Sequence, residues 1–241
     1  MFKIKKIIVA IIAIAISAVA FTVYLTLTKQ GEFKPNEAYA FVELPDPEIK
    51  GIMSIEETIW RRRSIRSFTE ESLSMSDISQ LLWAAQGITD PEKRFRAAPS
   101  AGATYPLEIY VVVSSNGVTG LAEGLYHYDP LTHRLECILR GDLRLSLAEV
   151  ALKQSCVVEA PVSIVIVAVY ERTTSKYGER GVRYVHMEAG HVGQNLYLQA
   201  TARGLGMVTV GAFDDDKVQE ILQLSREQKP LYIIPVGHPK S

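Results

Sequence analysis

The chain has few cysteines: Cys137 and Cys156 are the two among 241 residues. Two thiols cannot build a disulfide-stabilised scaffold, and these two lack the close spacing of a structural zinc site or a CxxC redox pair. Two unmodified thiols are therefore the simpler interpretation. A single disulfide between them stays open if the folded part lies outside the cytoplasm.

The chain also lacks an excess of charge of either sign. Lysine and arginine total 26 against 27 aspartate and glutamate, which gives a formal net charge of -1 at pH 7. This balance gives no global electrostatic reason to expect nucleic acid as a partner, so any anion site must be local. The 47% hydrophobic and 22% charged content is that of a folded domain. The sequence shows no internal repeat, which excludes a solenoid.

One long hydrophobic run is present near the amino terminus. Residues 7–27 are uncharged and mostly apolar, and three lysines precede them within the first six residues. This length matches the roughly 20 residues that cross a hydrocarbon core, so residues 1–28 are predicted to form a signal-anchor transmembrane helix. The competing interpretation is a cleaved signal peptide, because Ala18 and Ala20 form a small-x-small site. The lysines favour a cytoplasmic amino terminus, which would place the folded part of a single-pass membrane protein on the extracytoplasmic side.

A linker and a folded domain are expected to follow this run. Residues 29–53 carry three prolines and no sustained helical or strand period, whereas residues 54–241 carry both periods. Ser54 opens a short predicted helix, and Ser74 opens a second helix that Gly87 ends.

Five segments rich in β-branched and aromatic residues predict strands. They cover residues 107–113, 124–128, 135–139, 162–170 and 231–236. Since residues 162–169 are apolar apart from Ser163 and do not alternate, they are expected to form a central strand covered on both faces. A long helical pattern passes through Val185 and Leu196 and stops at Gly204. The irregular order of helices and strands predicts an α+β domain.

Four arginines lie close together at the end of the first predicted helix. They are Arg61, Arg62, Arg63 and Arg66, and Ser64 lies among them. So many fixed cations repel one another unless an anion or an acidic partner compensates them. A phosphate is a natural ligand, because guanidinium groups are forked donors that match phosphate oxygens. A solvated basic surface, or contact with anionic lipid, explains the spacing equally well.

A loop of small residues lies directly before the first long predicted strand. It contains Pro99, Ser100, Ala101, Gly102 and Ala103, followed by Tyr105 and Pro106. Consecutive small residues let the backbone approach a flat ligand closely, and proline restricts the loop. A tight surface turn is the alternative.

A third stretch, residues 175–196, joins a polar segment to the long helical pattern. Lys176 beside Tyr177 supplies a proton donor and acceptor if burial lowers the pKa of the lysine toward neutrality. The alternative is an exposed polar loop. His186, Glu188 and His191 lie at short spacing, but they lack the pattern of two histidines four apart that helical zinc sites use. No metal site is therefore predicted.

Glycines mark a fourth stretch. Residues 204–213 contain Gly204, Gly206 and Gly211, and Gly237 and His238 follow the last predicted strand. A dinucleotide-binding fingerprint is not predicted, because no suitable strand and helix frame these glycines.

In this order the four stretches resemble the nitroreductase family of FMN-dependent enzymes, and within it the SagB-type dehydrogenases. The similar strings are residues 62–68, 80–88, 98–108, 175–196, 204–213 and 235–239. The resemblance implies FMN contacts for Arg62, Arg63, Ser64, Arg66, Pro99, Ser100, Ala101, Gly102, Ala103, Gln194, Gly211, Ala212, Gly237 and His238. It implies that the arginines contact the phosphate and that Gly211 and Ala212 present backbone amides near the reactive flavin nitrogen. It also implies that Lys176 and Tyr177 are catalytic residues that abstract a proton from azoline rings.

The fold and activity implied by the resemblance follow from it as expectations. The fold is a nitroreductase-like α+β sandwich with a mainly antiparallel central sheet, here preceded by one amino-terminal transmembrane helix. The protein is expected to be a homodimer with each FMN at the subunit interface. The activity is ping-pong hydride transfer through N5 of FMN, with a small molecule or a peptide as substrate.

Two alternatives remain open at this point. One is NAD(P)H-dependent reduction of nitro or quinone acceptors, with NAD(P)H as the electron donor. The other is a non-catalytic, membrane-tethered module that binds flavin or anionic lipid.

Overall fold

Seven strands of the computed structural model, which describes residues 41–240, form one sheet, and two further strands form a hairpin. The strands are β1 (Phe41–Glu43), β2 (Ile88–Asp90), β3 (Phe95–Arg96), β4 (Leu107–Val113), β5 (Gly124–Asp129), β6 (Arg134–Arg140), β7 (Val162–Val169), β8 (Gly206–Met207) and β9 (Gln228–Gly237). The helices are α1 (Ile55–Arg61), α2 (Met75–Gln86), α3 (Arg144–Val150), α4 (Ser155–Glu159), α5 (Glu171–Tyr177), α6 (Arg180–Ala202) and α7 (Asp215–Ile221), with a 3-10 turn at Ala101–Ala103. All the strand pairs in the described sheet are antiparallel. The predicted α+β class with an antiparallel central sheet is confirmed.

Strand β7 lies inside the sheet, whose order is β1-β6-β5-β4-β7-β9-β8. Ile166 pairs with Ile109 on one neighbouring strand and with Tyr232 on the other. The side chains of β7 alternate between two hydrophobic clusters, so that Ile164 packs in one and Val165 in the other. The continuous apolar run is therefore buried on both faces, as predicted.

Helix α6 packs on the face of the sheet that carries Ile164. Its residues Val185, Val192 and Leu196 are fully buried and belong to the same cluster. This confirms the predicted apolar stripe. The helix ends before Gly204, whose φ of 70° is in the left-handed region that glycine favours after a helix.

Helix α2 packs beside α6 and begins with the predicted capping residues. The Ser74 hydroxyl accepts a hydrogen bond from Asp77 N at 3.0 Å, and the Asp77 carboxylate accepts one from Ser74 N at 2.9 Å. The same carboxylate accepts a hydrogen bond from Arg203 Nε at 2.5 Å. Asp77 therefore joins the start of α2 to the end of α6.

Several short elements were not predicted. Strand β1 lies in the predicted linker, residues 29–53, and pairs with β6 through Phe41 and Glu136. Residues 171–177 form helix α5. For residues 175–177 the sequence had left an exposed polar loop open as the alternative. Elements of three to seven residues are too short to show a sustained period, so contacts with distant strands decide where they form.

The fold-class prediction needs one correction, which concerns the transmembrane helix. Across residues 41–240, no helix combines the length and the apolar character that crossing a bilayer requires. The predicted segment itself, residues 1–28, lies outside the described residues. The prediction relied on length and hydropathy, which do not separate a spanning helix from other apolar segments. The predicted transmembrane helix is therefore not part of the described fold, and the described residues give no support to the predicted membrane partner.

Both cysteines are free and buried, Cys137 on β6 and Cys156 on α4. Burial raises the pKa of each thiol, which keeps it protonated and unreactive. The structure thus agrees with two unmodified thiols.

Candidate functional site

The arginine motif, residues 61–66, lies at the end of helix α1, and three of its four arginines have no acidic partner in the described chain. Arg61 is paired with Glu57 within the helix at 2.6 Å. Within residues 41–240, however, Arg62, Arg63 and Arg66 have no acidic partner. Arg62 is half-buried and the other two are exposed. No carboxylate of the described residues neutralises this positive charge, as expected of a site that binds an anion.

Strand β8 runs beside the arginine motif. Ile65 N donates a hydrogen bond to Met207 O at 2.9 Å, and Ser64 forms an isolated parallel bridge with Met207. Gly206 is required at this approach, because a Cβ there would lie 2.7 Å from Ile65 Cγ2. The structure therefore brings the first and fourth stretches together, although they are far apart in the sequence.

The end of strand β9 lies against the same motif. Thr69 N donates a hydrogen bond to His238 O at 2.9 Å. At Gly237 a Cβ would lie 2.7 Å from Pro161 Cδ and 3.1 Å from the Phe68 side chain. Gly237 and His238 are thus held close to the arginines by tight packing.

The small-residue loop turns at Gly102, whose φ of 60° is in the left-handed region. A Cβ at this position would lie 2.5 Å from Lys176 Nζ and 2.5 Å from Tyr177 Oη. Lys176 Nζ also donates a hydrogen bond to Gly102 O at 3.3 Å. The polar ends of both predicted catalytic residues therefore converge on the loop. Lys176 and Ala103 are exposed, and Tyr177 is half-buried.

Glu188 on α6 supports the loop from inside the protein, where it is 2% exposed. Its carboxyl group accepts a long hydrogen bond from Gln86 Nε2 at 3.5 Å and lies near the Ser100 side chain. The Ser100 hydroxyl in turn accepts a hydrogen bond from Tyr105 N at 2.9 Å. Burial raises the pKa of Glu188, against the opposing effect of Ser100, Gln86 and the nearby Arg96 charge.

Glu108 on β4 supports the other end of the loop. It accepts a hydrogen bond from His127 Nε2 at 2.7 Å and pairs with Arg172 at 2.5 Å. Arg172 also donates a hydrogen bond to Tyr105 O at 3.1 Å. Burial on its own would raise the pKa of Glu108, but the hydrogen bond from His127 and the charge of Arg172 outweigh burial and lower it.

The segment after β8 presents two backbone amides at the surface. Gly211 and Ala212 are exposed, and in the described part of the chain neither N–H group donates a hydrogen bond. Gln154 Nε2 donates to Ala212 O at 3.1 Å, and Asp214 N donates to Val150 O at 2.9 Å. The segment is thus fixed by its other polar groups while its two amides remain available to a ligand.

Helix α6 carries a further predicted ligand, Gln194, which is exposed. Its neighbour Asn195 points inward and donates hydrogen bonds to Ala84 O at 3.0 Å and Ala97 O at 3.4 Å. Asn195 therefore holds α2 and the segment before the small-residue loop together.

Sequence patterns did not reveal the residues that join these stretches. Tyr197 Oη lies 2.9 Å from Ser64 Oγ and accepts a hydrogen bond from Thr209 N at 3.2 Å. Its only signal in the sequence is its place on a helical stripe. Glu188 is noticeable only as a rejected metal ligand. The two residues lie nine positions apart on α6, or about 13.5 Å along the helix axis, so one helix contacts both halves of the candidate site.

Most of the predicted site residues are exposed or half-buried in the protomer, and Gly237 is buried. A groove of about 920 Å³ lies elsewhere, lined by residues that include Ile52, Trp83 and Leu198, and it contains none of the predicted site residues.

Comparison with known proteins gives consistent matches. A model described as the Nitroreductase family matches residues 59–238. A putative nitroreductase of Methanocaldococcus jannaschii is 49% identical over 197 residues, which are 81% of this chain and 95% of that protein. An FMN reductase (NADPH) of Bacillus subtilis is 26% identical over 76% of this chain and 65% of that protein. The Escherichia coli microcin synthetase McbBCD complex, solved with truncated pro-MccB17 bound, contains a chain with a TM-score of 0.67 and 25% identity, over 87% of this chain and 80% of that one.

Replacing Glu188 by Gln should change how stability depends on pH. Because folding raises the pKa of Glu188, its contribution is fully present below the ordinary pKa of 4.5 and is lost as the pH rises through the folded pKa. The free energy of unfolding of the wild type, relative to Glu188→Gln, should therefore fall as the pH rises above 4.5. Urea unfolding at a series of pH values measures this difference.

Glu108→Gln is the matched contrast, since folding lowers the pKa of that second carboxyl. The wild type should gain stability relative to Glu108→Gln as the pH rises through the folded pKa toward 4.5. The same sign of pH dependence for both variants would contradict the two assigned environments.

Gly102→Ala should weaken FMN binding by roughly tenfold, or ~1.4 kcal/mol, because the new methyl group would clash with Lys176 Nζ and Tyr177 Oη and shift the loop that is expected to line the flavin. Gly120→Ala is the control: its φ is 82°, but a Cβ there meets nothing within 4 Å. Both variants should lose about 1 kcal/mol of stability from the left-handed backbone. Flavin fluorescence titration and urea unfolding separate the two effects, and equal FMN affinity in both variants would count against the site.

Proposed function

Because the chain belongs to the nitroreductase family, we propose that it is an FMN-dependent dehydrogenase of the SagB type, which oxidises an azoline ring in a peptide. The convergence of Lys176 and Tyr177 on Gly102 is the observation that carries this proposal. The likeness to a chain of a microcin synthetase complex, solved with truncated pro-MccB17 bound, supports a peptide substrate.

Family membership confirms the coarser predictions. The chain is an oxidoreductase, its cofactor is FMN, and NAD(P)H is an electron donor consistent with its relatives. This result sets aside the alternative of a non-catalytic module. The relatives include both a NADPH-dependent FMN reductase and a chain of a microcin synthetase, so family membership leaves the substrate to be decided by experiment.

The residues of the candidate site fit FMN in their charge and in their available hydrogen-bond donors. The unpaired Arg62, Arg63 and Arg66 are suited to hold the phosphate through charge-assisted hydrogen bonds. The free amides of Gly211 and Ala212 are suited to stabilise negative charge on the flavin ring. Bound FMN supplies a two-electron hydride acceptor, while the protein supplies orientation and electrostatics.

In the proposed reaction the Lys176–Tyr177 pair accepts the proton that leaves the azoline ring. Oxidation of an azoline to an azole removes one hydrogen as a hydride, for which bound FMN would be the acceptor, and one as a proton, which a base must accept. Both polar ends reach the same point beside Gly102, and Lys176 Nζ lies 5.5 Å from the centre of the Tyr177 ring. Since Lys176 is exposed in the protomer, the burial that the sequence prediction requires has to come from FMN, substrate or a second chain.

We further propose that the chain acts as a homodimer, as members of this family usually do. The exposed apolar side chains of Ile59 and Trp60 on α1 and of Met187 on α6 support a contact with a second chain. Gly190 is open as well, because a Cβ there would meet nothing within 4 Å in the described chain. A close helix contact at this glycine would therefore be made by the partner subunit.

The proposed reaction is tested by anaerobic mixing of the FMN-loaded protein with a synthetic thiazoline peptide. Bleaching of the oxidised flavin absorbance is expected, together with loss of two hydrogens from the peptide by mass spectrometry. NADH and NADPH are tested in parallel. Bleaching by either nucleotide with no oxidation of the thiazoline would overturn the proposal in favour of nitro or quinone reduction.

Lys176→Ala should slow thiazoline-driven bleaching by about 100-fold, the lower range for loss of a general acid or base, and leave the FMN content unchanged. Lys229→Ala is the control, because Lys229 is another exposed lysine but donates a hydrogen bond to Gln219 at 3.1 Å. The control should leave both quantities unchanged. Unaltered bleaching in Lys176→Ala would remove that residue from the proposed mechanism.

A further inference from the structure

Tyr197 lies at the junction of the arginine motif, helix α6 and the segment after β8. Its side chain projects from α6 and the residue is 9% exposed. The hydroxyl lies 2.9 Å from Ser64 Oγ and 3.2 Å from Thr209 N. One phenol group therefore contacts both stretches that surround the proposed phosphate site.

The hydrogen bonds around this hydroxyl indicate which atom accepts the phenol proton. Thr209 N can only donate, so the Tyr197 oxygen is the acceptor in that contact. The phenol proton then needs an acceptor of its own, because a nearly buried donor without a partner is costly. Ser64 Oγ lies at hydrogen-bond distance from the phenol oxygen, and we infer that Ser64 is the acceptor of the phenol proton.

This direction leaves the proton of Ser64 free to point elsewhere. A hydroxyl has one proton to donate, and with its oxygen accepting from Tyr197 that proton is turned away from the phenol. Ser64 is exposed and lies between the unpaired Arg63 and Arg66. The Ser64 proton is therefore available to a ligand on the exposed side of the arginine motif.

The ring of Tyr197 also contacts the arginine motif. The Arg62 guanidinium carbon lies 5.0 Å from the centre of this ring, within the range of a cation–π contact. Tyr197 thus restricts the positions of both Arg62 and Ser64 without facing the surface itself.

We propose that Tyr197 is a positioning residue for the phosphate of FMN: it orients the Ser64 hydroxyl as a donor and steadies the Arg62 guanidinium above its ring. The inference rests on the proposed FMN site and adds a residue that does not touch the cofactor. Its effect should be larger at the phosphate than at the ring, since Ser64 and Arg62 belong to the arginine motif and Thr209 N is its contact in the segment after β8. Binding of riboflavin, which has the same ring system and no phosphate, should therefore change less than binding of FMN.

The experiment measures FMN and riboflavin affinities for the full chain carrying Tyr197→Phe, Ser64→Ala or both changes. Tyr197→Phe should weaken FMN binding about fivefold, the typical effect of one hydrogen bond, and weaken riboflavin binding by a smaller factor. The double variant should bind FMN no more weakly than Ser64→Ala, because the phenol acts on the phosphate through that serine. Urea unfolding confirms that the variants are folded.

Tyr126→Phe is the control for loss of a buried phenol hydroxyl. Its ring is fully buried on β5 and its hydroxyl donates to Ala122 O at 2.7 Å, so the ratio of FMN to riboflavin affinity should not change. Equal losses of FMN and riboflavin affinity in Tyr197→Phe, or additive losses in the double variant, would overturn the inference while the FMN site stands. A wild-type chain that binds no FMN would overturn the proposed function and the inference together.

Discussion

The packing of helix α6 against the central sheet is the constraint on which the candidate site depends. Val185 and Val192 have no exposed surface, which fixes the rotation of the helix about its axis. With that rotation set, Glu188 faces Ser100 and Tyr197 faces Ser64. Because a close-packed interior resists small displacements, the two halves of the site keep their spacing.

The distribution of ion pairs separates structural arginines from those left for a ligand. Arg203 pairs with Asp77 and Arg172 with Glu108, and each pair joins elements of the fold. In the region that the structure describes, the arginines of the motif at 62–66 have no such partner. Repulsion between several like charges raises the free energy of the folded state, and surface packing does not offset it. A bound anion is therefore the simplest physical reason for their arrangement.

The elements that the sequence predicts well are those with a sustained pattern. Residues 107–113 were predicted as a strand and form β4, and Ser74 caps α2 as its spacing indicated. Strand β1 was missed because its place is decided by pairing with β6, which no local pattern records. The transmembrane helix was predicted from local hydropathy and has been removed from the fold description.

The site shows the same division between local and distant information. The arginine motif and the small-residue loop are visible as strings, because their chemistry is carried by neighbours in the sequence. Their supports are not visible, since Tyr197 and Gln154 act through contacts with Ser64 and Ala212, which are distant in the chain. A sequence can thus indicate which residues bind a ligand and leave open what holds them in place.

A crystal structure of the protein grown with FMN would show whether the arginine motif, the small-residue loop and the segment after β8 bind one flavin. Electron density is expected for one FMN per protomer, with its phosphate beside Arg62 and Arg66 and its ring between Gly102 and Gly211. The small-residue loop and the segment after β8 should then lie on either side of one flavin. FMN bound in the groove beside Trp83, or density absent from a protein whose motifs are ordered, would contradict the account.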